Sequence, residues 1–251
     1  MMKDIFSLEG RVALVTGASR GLGVAMAEAL ASRGAIVVLN GRDPDTLRAV
    51  AAKIPRAEYA AFDVTDAKAG PAAIADIVKR HGKLDILVNN AGIQHRRPLI
   101  EWEDSDFERI LAANLTSCFR LSREAARVML PRKYGRIINT GSVAGILARP
   151  TIHGYVAAKS GLHGLTKSMA AEIGRHGVTV NAIAPGYFAT ELNTALLEDK
   201  EFTAWVERRT PSGRWAKPEE LGGAVIFLAS DAASYVNGHV LAVDGGISVS
   251  L

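Results

Sequence analysis

The sequence predicts an α/β fold: a single doubly wound domain whose seven parallel strands are covered by helices on both faces, with a lid inserted near its C-terminal end. Three observations carry this expectation. Apolar runs of strand length alternate with longer segments of helical periodicity. The strand runs are apolar at successive positions, as in Ile86-Leu87-Val88, which suits strands buried on both sides. A glycine-rich turn, Thr16 to Gly23, joins the first strand run to the first helical segment. A length of 251 residues is within reach of one core, so one domain is expected over 1–251.

Taken in order, the strands are expected at 11–16, 35–40, 58–62, 84–88, 135–140, 178–182 and 239–243. Between them, helical patterns run up to 32, through 53 and to about 81, then over 104–130 and 155–175. Such an alternation of strand and helix builds a parallel sheet by βαβ units. From 186 to 216 the periodicity breaks down into Pro-Gly, an acidic and aromatic stretch and Arg208-Arg-Thr-Pro-Ser-Gly-Arg-Trp215. An insertion of this length in a compact domain is read as a lid. The apolar stretches 12–15 and 224–229 are far short of a membrane span and are expected in the core.

Composition narrows the class. Hydrophobic residues make up 48% and charged residues 22%, ordinary globular usage. The single cysteine, Cys118, can form neither an internal disulfide nor a multi-cysteine metal site, and no metal site is expected. A net charge of +4 never gathers into a basic run, so no nucleic-acid partner is expected, and neither is a membrane. Residues 1–10 carry two acids where an export signal would need an apolar stretch, and a cytoplasmic location is expected.

The turn Thr16-Gly17-Ala18-Ser19-Arg20-Gly21-Leu22-Gly23 opens a helix. There glycines let a pyrophosphate approach the backbone, and free N–H groups can bind it. Its spacing, Gly-x-x-x-Gly-x-Gly, also fits a plain tight turn, and position favours the dinucleotide. The second strand ends in Asn40, where a dinucleotide site that prefers NAD(H) ends in an acid. Arg42 and Arg20 can converge on a 2′-phosphate, so NADP(H) is preferred, with NAD(H) as the second choice. The alternative is that both arginines are solvated. Asp63-Val64 follows the third strand, where it meets an adenine amino group or caps the next turn. Asn89-Asn90-Ala91-Gly92 follows the fourth, suited to close backbone approach or to bracing loops.

Tyr155 and Lys159 lie one turn apart on one helix face, where a cation beside a phenol favours the phenolate. Alone, that pair is common. Asn114 and Ser142 can both reach the crevice at the carboxyl ends of the strands. With Thr16 to Gly23, Asn89 to Gly92, Asn114, Ser142, Tyr155-x-x-x-Lys159 and Pro185-Gly186 in order, the chain resembles the short-chain dehydrogenase/reductase family from end to end.

The resemblance implies a Rossmann-type sheet and a homotetramer built on the helices of 104–130 and 155–175 and the stretch 236–251. It implies Tyr155 as the proton donor or acceptor, Ser142 polarising the substrate oxygen, Lys159 on the nicotinamide ribose, and Asn114 anchoring a water that leads to Lys159. Pro185, Gly186 and the backbone around Phe188, with Thr190, are implied to hold the nicotinamide.

A narrower resemblance, carried by Asn89 to Gln94, Ala184 to Phe188, Thr190-Glu191, Phe202-Thr-Ala-Trp205, Arg209-Thr-Pro211, Arg214-Trp215 and Val236 to His239, is to the branch that interconverts gluconate and 5-keto-gluconate. An aldonate pocket needs cations and hydrogen-bonding groups. Arg96, Arg97, Arg149 and His153 are the candidates, each equally able to serve at a rim or a subunit contact. His163, His176 and His239 read as structural or surface residues, and Trp102, Trp205 and Trp215 as packing anchors. The enzymatic alternatives are a reductase of 3-oxoacyl groups on carrier protein, against which the polar Gln94 to Arg97 cluster argues, and another keto-sugar or ketone reductase of the same family. A non-catalytic dinucleotide-binding protein is the alternative of another class.

Overall fold

The structure, a computed structural model, describes residues 4–250. Positions 1–3 and 251 of the expected domain lie outside the described residues, as do the start of the segment read for an export signal and the end of the proposed C-terminal contact stretch. The strands are β1 Val12–Val15, β2 Ile36–Gly41, β3 Ala57–Ala61, β4 Ile86–Asn89, β5 Gly135–Thr140, β6 Val178–Pro185 and β7 Val240–Val243. They pair in parallel in the order β3-β2-β1-β4-β5-β6-β7.

Chain order reverses at β1, which pairs with β2 on one side and β4 on the other. The loops leaving β1 and β4 therefore part company and open a crevice at the carboxyl edge of the sheet. All seven expected strands are present, with ends displaced by a residue or more except in β5. The longest extension is in β6, which runs on to Pro185.

Alternation along the strands divides the core in two. Ala13 and Val15 of β1, with Val37 and Leu39 of β2, pack against helix α1 (Gly21–Ser32), α2 (Pro44–Ala51) and, late in the chain, Val225, Leu228 and Ala229. Val12, Leu14 and Val38 face the other way, against α3 (Ala69–His81) and the Leu121, Ala125, Met129 and Ala170 side chains. Both faces are covered, which is why the strand runs show no polar alternation.

The single helix expected over 104–130 is three pieces. They are α4 (Asp104–Leu111), a π-helical turn (Ala112–Thr116) and α5 (Ser117–Met129). The catalytic-side helix α6 begins two residues early, at His153, and ends at Ile173.

The 186–216 excursion contains α7 (Thr194–Glu198) and α8 (Lys200–Arg209), the latter capped by Asp199, which accepts from Phe202 N. Its two ends are pinned together, Ala216 N donating to Tyr187 O at 2.9 Å and Ala189 N to Ala216 O at 2.8 Å. The core stretch at 224–229 is helix α9 (Gly222–Ala229). Among the described residues no helix is long and apolar enough to cross a membrane.

Candidate active site

Every loop at the carboxyl edge from β1 to β6 contributes to one cavity of about 1230 Å³. That exceeds the usual small-molecule pocket and is large enough for a dinucleotide beside a small substrate. At the cofactor end it is lined by Gly17, Ser19, Arg20, Gly21, Leu22 and Gly23, by Asn40 and Arg42, by Asp63 and Val64, and by Asn90, Ala91 and Gly92.

Gly17 takes a φ of +62°, and a Cβ there would stand 2.8 Å from Ala91 Cα, so only glycine closes the turn against the β4 loop. The loop is braced from β4. Asn90 Nδ2 donates to the carbonyls of Thr16 and Gly17, and Thr16 Oγ1 accepts from the backbone of Asn90 and Ala91. Arg20, at the N-cap of α1, makes no side-chain cap, and the first turn holds no acid. Its N–H groups thus remain open to an anion, which fits a pyrophosphate.

Two cofactor-end side chains also bond within the protein. Asn40 is buried, and its amide donates to the carbonyls of Ala60 and Phe62, tying β2 to the end of β3. Its amide is spent on the sheet and brings no negative charge to the strand end. Asp63 Oδ1 accepts from Thr65 N at 2.8 Å and Thr65 Oγ1 at 2.7 Å, the turn-capping alternative, and those bonds hold its carboxyl below the usual range, with a smaller contribution from Arg42. Arg20 stands 3.9 Å from Glu191, an exposed pair reaching from the glycine loop to the 186–216 excursion.

At the chemistry end, β5 delivers Ser142 and α6 delivers Tyr155 and Lys159 to the same cavity. Ser142 Oγ accepts from Ala144 N at 3.0 Å, which orients the hydroxyl and leaves its proton to be donated. Lys159 is buried. Its Nζ donates to Thr140 O at 2.6 Å and lies 5.5 Å from the centre of the Tyr155 ring.

Asn114 sits in the π-helical turn, where its amide is fully spent. Oδ1 accepts from Ile93 N at 3.1 Å, and Nδ2 donates to Ile93 O at 2.9 Å and Ile110 O at 3.0 Å. The side chain braces the loop after β4. Pro185, Gly186, Phe188 and Thr190 line the cavity where β6 ends. Phe188 is buried, and its carbonyl accepts from Asn193 Nδ2.

Of the four substrate candidates, the cavity takes in Arg96 and Arg149. Arg97 is directed away from it, 3.7 Å from Glu101, with its side chain 58% exposed. His153 packs edge-on against Trp102 on the far side of α6, ring centres 6.0 Å apart, and does not line the cavity. Arg96 is clamped by Gln94, whose Oε1 accepts from both Nε and a terminal nitrogen. Burial and the nearby Arg149 push the Arg96 guanidinium down from its ordinary value. Among the described residues neither arginine has a carboxylate partner.

A family profile described as enoyl-(acyl carrier protein) reductase matches residues 17–248. The gluconate 5-dehydrogenase of Gluconobacter oxydans is 50% identical over 252 residues, covering 99% of this chain and 98% of that protein. The chain belongs to the short-chain dehydrogenase/reductase family. The crystal structure of a gluconate 5-dehydrogenase from Burkholderia cenocepacia in complex with NADP and tartrate superposes with a TM-score of 0.95 at 45% identity, covering 99% of both chains. A 3-oxoacyl-[acyl-carrier-protein] reductase of Escherichia coli is 40% identical over 242 residues, 96% of this chain and 98% of that one.

As a short-chain dehydrogenase/reductase, the chain is an oxidoreductase with the doubly wound fold its sequence predicted. Three aromatic side chains that the sequence does not mark as cavity residues, Tyr187, Phe202 and Trp205, also line the cavity. Tyr187 lies inside the Ala184 to Phe188 motif, and Trp205 is expected to pack. Their signal, an aromatic density rising inside an otherwise polar excursion, was present, but nothing in it fixed their direction.

Proposed function

We propose that this oxidoreductase uses NADP(H) to interconvert D-gluconate and 5-keto-D-gluconate, as a cytoplasmic homotetramer. The observation that carries the substrate reading is the pair of guanidiniums lining the same cavity as Ser142 and Tyr155. With no carboxylate partner of their own, Arg96 and Arg149 suit a substrate that brings one. Support comes from the full-length similarity to a gluconate 5-dehydrogenase and from the relative crystallised with NADP and tartrate. For the cofactor, Arg20 and Arg42 supply positive charge where β2 ends without an acid. A 3-oxoacyl thioester has no use for two cationic groups beside the reacting carbon. A purely binding protein has no use for the Ser142, Tyr155 and Lys159 set.

NADP(H), when bound, supplies or takes up the hydride. Ser142, its oxygen already held by Ala144, donates to the substrate's carbonyl oxygen. In reduction the Tyr155 phenol gives its proton to that oxygen as it becomes an alcohol, and in oxidation it takes the proton back. Lys159 stands beside the phenol with N–H groups left over from its bond to Thr140, available to a ribose. We assign the expected water to the backbone carbonyl of Asn114, because its side chain is spent. The 186–216 excursion serves as the lid.

Replacing Arg96 by Gln tests the reading. It should raise KM for 5-keto-D-gluconate about tenfold, the loss expected for one charged hydrogen bond, while KM for NADPH and for a neutral keto sugar stays within about twofold of wild type. Equal effects on charged and neutral substrates would count against an aldonate.

A further inference from the structure

The two arginines of the substrate wall are held by different parts of the molecule. Arg96 belongs to the β4 loop and is fixed there by Gln94, at 3.1 and 2.8 Å. Arg149 comes from the loop between β5 and α6, yet its side chain is held by the lid. Its guanidinium carbon lies 4.5 Å from the centre of the Phe202 ring, and its charge lies close enough to the Tyr187 hydroxyl to act on it.

Tyr187 and Phe202 are in turn part of one packed aromatic block. Tyr187 meets Trp205 and Trp215 edge-on at 5.9 and 5.4 Å, and Phe202 stacks on Trp205 at 5.5 Å with the rings 25° apart. Arg149 is thus a bolt between the fixed wall of the cleft and the block that forms the lid.

This bolt is electrically loaded. Arg96 and Arg149 are like charges near enough to act on each other, and among the described residues no carboxylate relieves them. An anion between them would turn repulsion into a shared contact. The Tyr187 hydroxyl, within reach of the Arg149 charge, keeps its own proton to offer to the same anion.

We propose that Tyr187 and Arg149 are specificity-determining residues that couple closure of the lid to the negative charge of the substrate. A carboxylate bound between Arg96 and Arg149 fixes Arg149, and Arg149 holds the Tyr187–Phe202 block over the reacting carbon. A neutral keto sugar leaves the repulsion in place and the lid unfastened. This inference rests on the aldonate reading and adds to it the route by which charge reaches the lid.

Trp205 and Trp215 report on the block directly. In NADP⁺-loaded enzyme carrying Tyr155→Phe, which prevents turnover, D-gluconate or tartrate should change the tryptophan emission, and a neutral polyol at the same concentration should not. Adding Tyr187→Phe, which keeps the ring and the packing, or Arg149→Gln should abolish that response. In otherwise wild-type enzyme each change should lower the ratio of kcat/KM for 5-keto-D-gluconate over a neutral keto sugar by about tenfold. The double variant should lose little more than either single one, because both act through the same bound carboxylate and the same aromatic block.

A Tyr187→Phe enzyme with an unchanged charged-to-neutral ratio, fully additive effects, or an equal emission change with the neutral polyol would overturn the coupling. Failure of the aldonate reading looks different. No turnover of 5-keto-D-gluconate, with an anion response that Tyr187→Phe removes, would leave the coupling standing and the substrate wrong.

Discussion

Ser142, Tyr155 and Lys159 differ in how much of their hydrogen-bonding capacity the protein itself consumes. Ser142 accepts one bond and keeps its proton, Lys159 gives one N–H to Thr140 O, and the Tyr155 hydroxyl makes no hydrogen bond among the described residues. The group with the most freedom is the proposed proton carrier. Tyr155→Phe should therefore retain NADPH binding, measured by equilibrium titration, while losing nearly all turnover.

The cofactor choice is also set by single residues. Arg42→Asp should reverse the preference for NADP(H), since one charge-assisted phosphate contact is worth about 1.5–3 kcal/mol, or about tenfold or more in affinity. Equal wild-type efficiency with both cofactors would contradict the assignment. Identity was legible at this scale and direction was not. Arg96 and Arg97 are neighbours on non-helical chain, yet Arg96 lines the cleft and Arg97 points out to Glu101. His153 is two positions before Tyr155, about 200° around a helix from it, whereas Lys159, four positions on, shares its face.

Among the elements, the break in the 104–130 helix matters most. A π-turn leaves no mark on hydrophobic periodicity, and only the hydrogen bonds of Asn114 reveal what it holds. Asn114→Ala strands the polar groups of Ile93 and Ile110. Each buried group left unpaired costs about 1–3 kcal/mol, so chemical denaturation should show a loss of at least that size. Helix α9 was hidden for a different reason, being apolar on almost every side and so giving no amphipathic signal.

Just after the 186–216 excursion, Glu220 accepts from Arg214 through both oxygens and from Lys217 N, which holds its carboxyl down to about 2. A depressed carboxylate contributes stability above its unfolded value, and that contribution is lost as pH falls towards the folded one. The Tm difference between wild type and Glu220→Gln should accordingly be full above about pH 4.5 and vanish as pH falls towards 2.

For the whole molecule, the doubly wound parallel sheet was legible because alternating strands and helices with right-handed connections leave few topologies, while the strand order is given by the pairing itself. Assembly depends on surfaces no periodicity describes. Leu99, Ile100, Phe107 and Phe119 stand exposed on and just before the 104–130 segment, and Tyr235 and Val249 near the chain's end. Exposed apolar residues so grouped suit subunit contacts. The proposed homotetramer should appear in light scattering at about four times the 26.7 kDa chain mass, and a monomer at micromolar concentration would rule it out.

All the scales meet in the choice of substrate, which one comparison of initial rates decides. With NADPH as the reductant, kcat/KM for 5-keto-D-gluconate should exceed that for a 3-oxoacyl thioester by about tenfold or more, the worth of the charged contacts that only the aldonate makes. A thioester reduced as efficiently as the keto-aldonate, or no turnover of 5-keto-D-gluconate at all, would contradict the account.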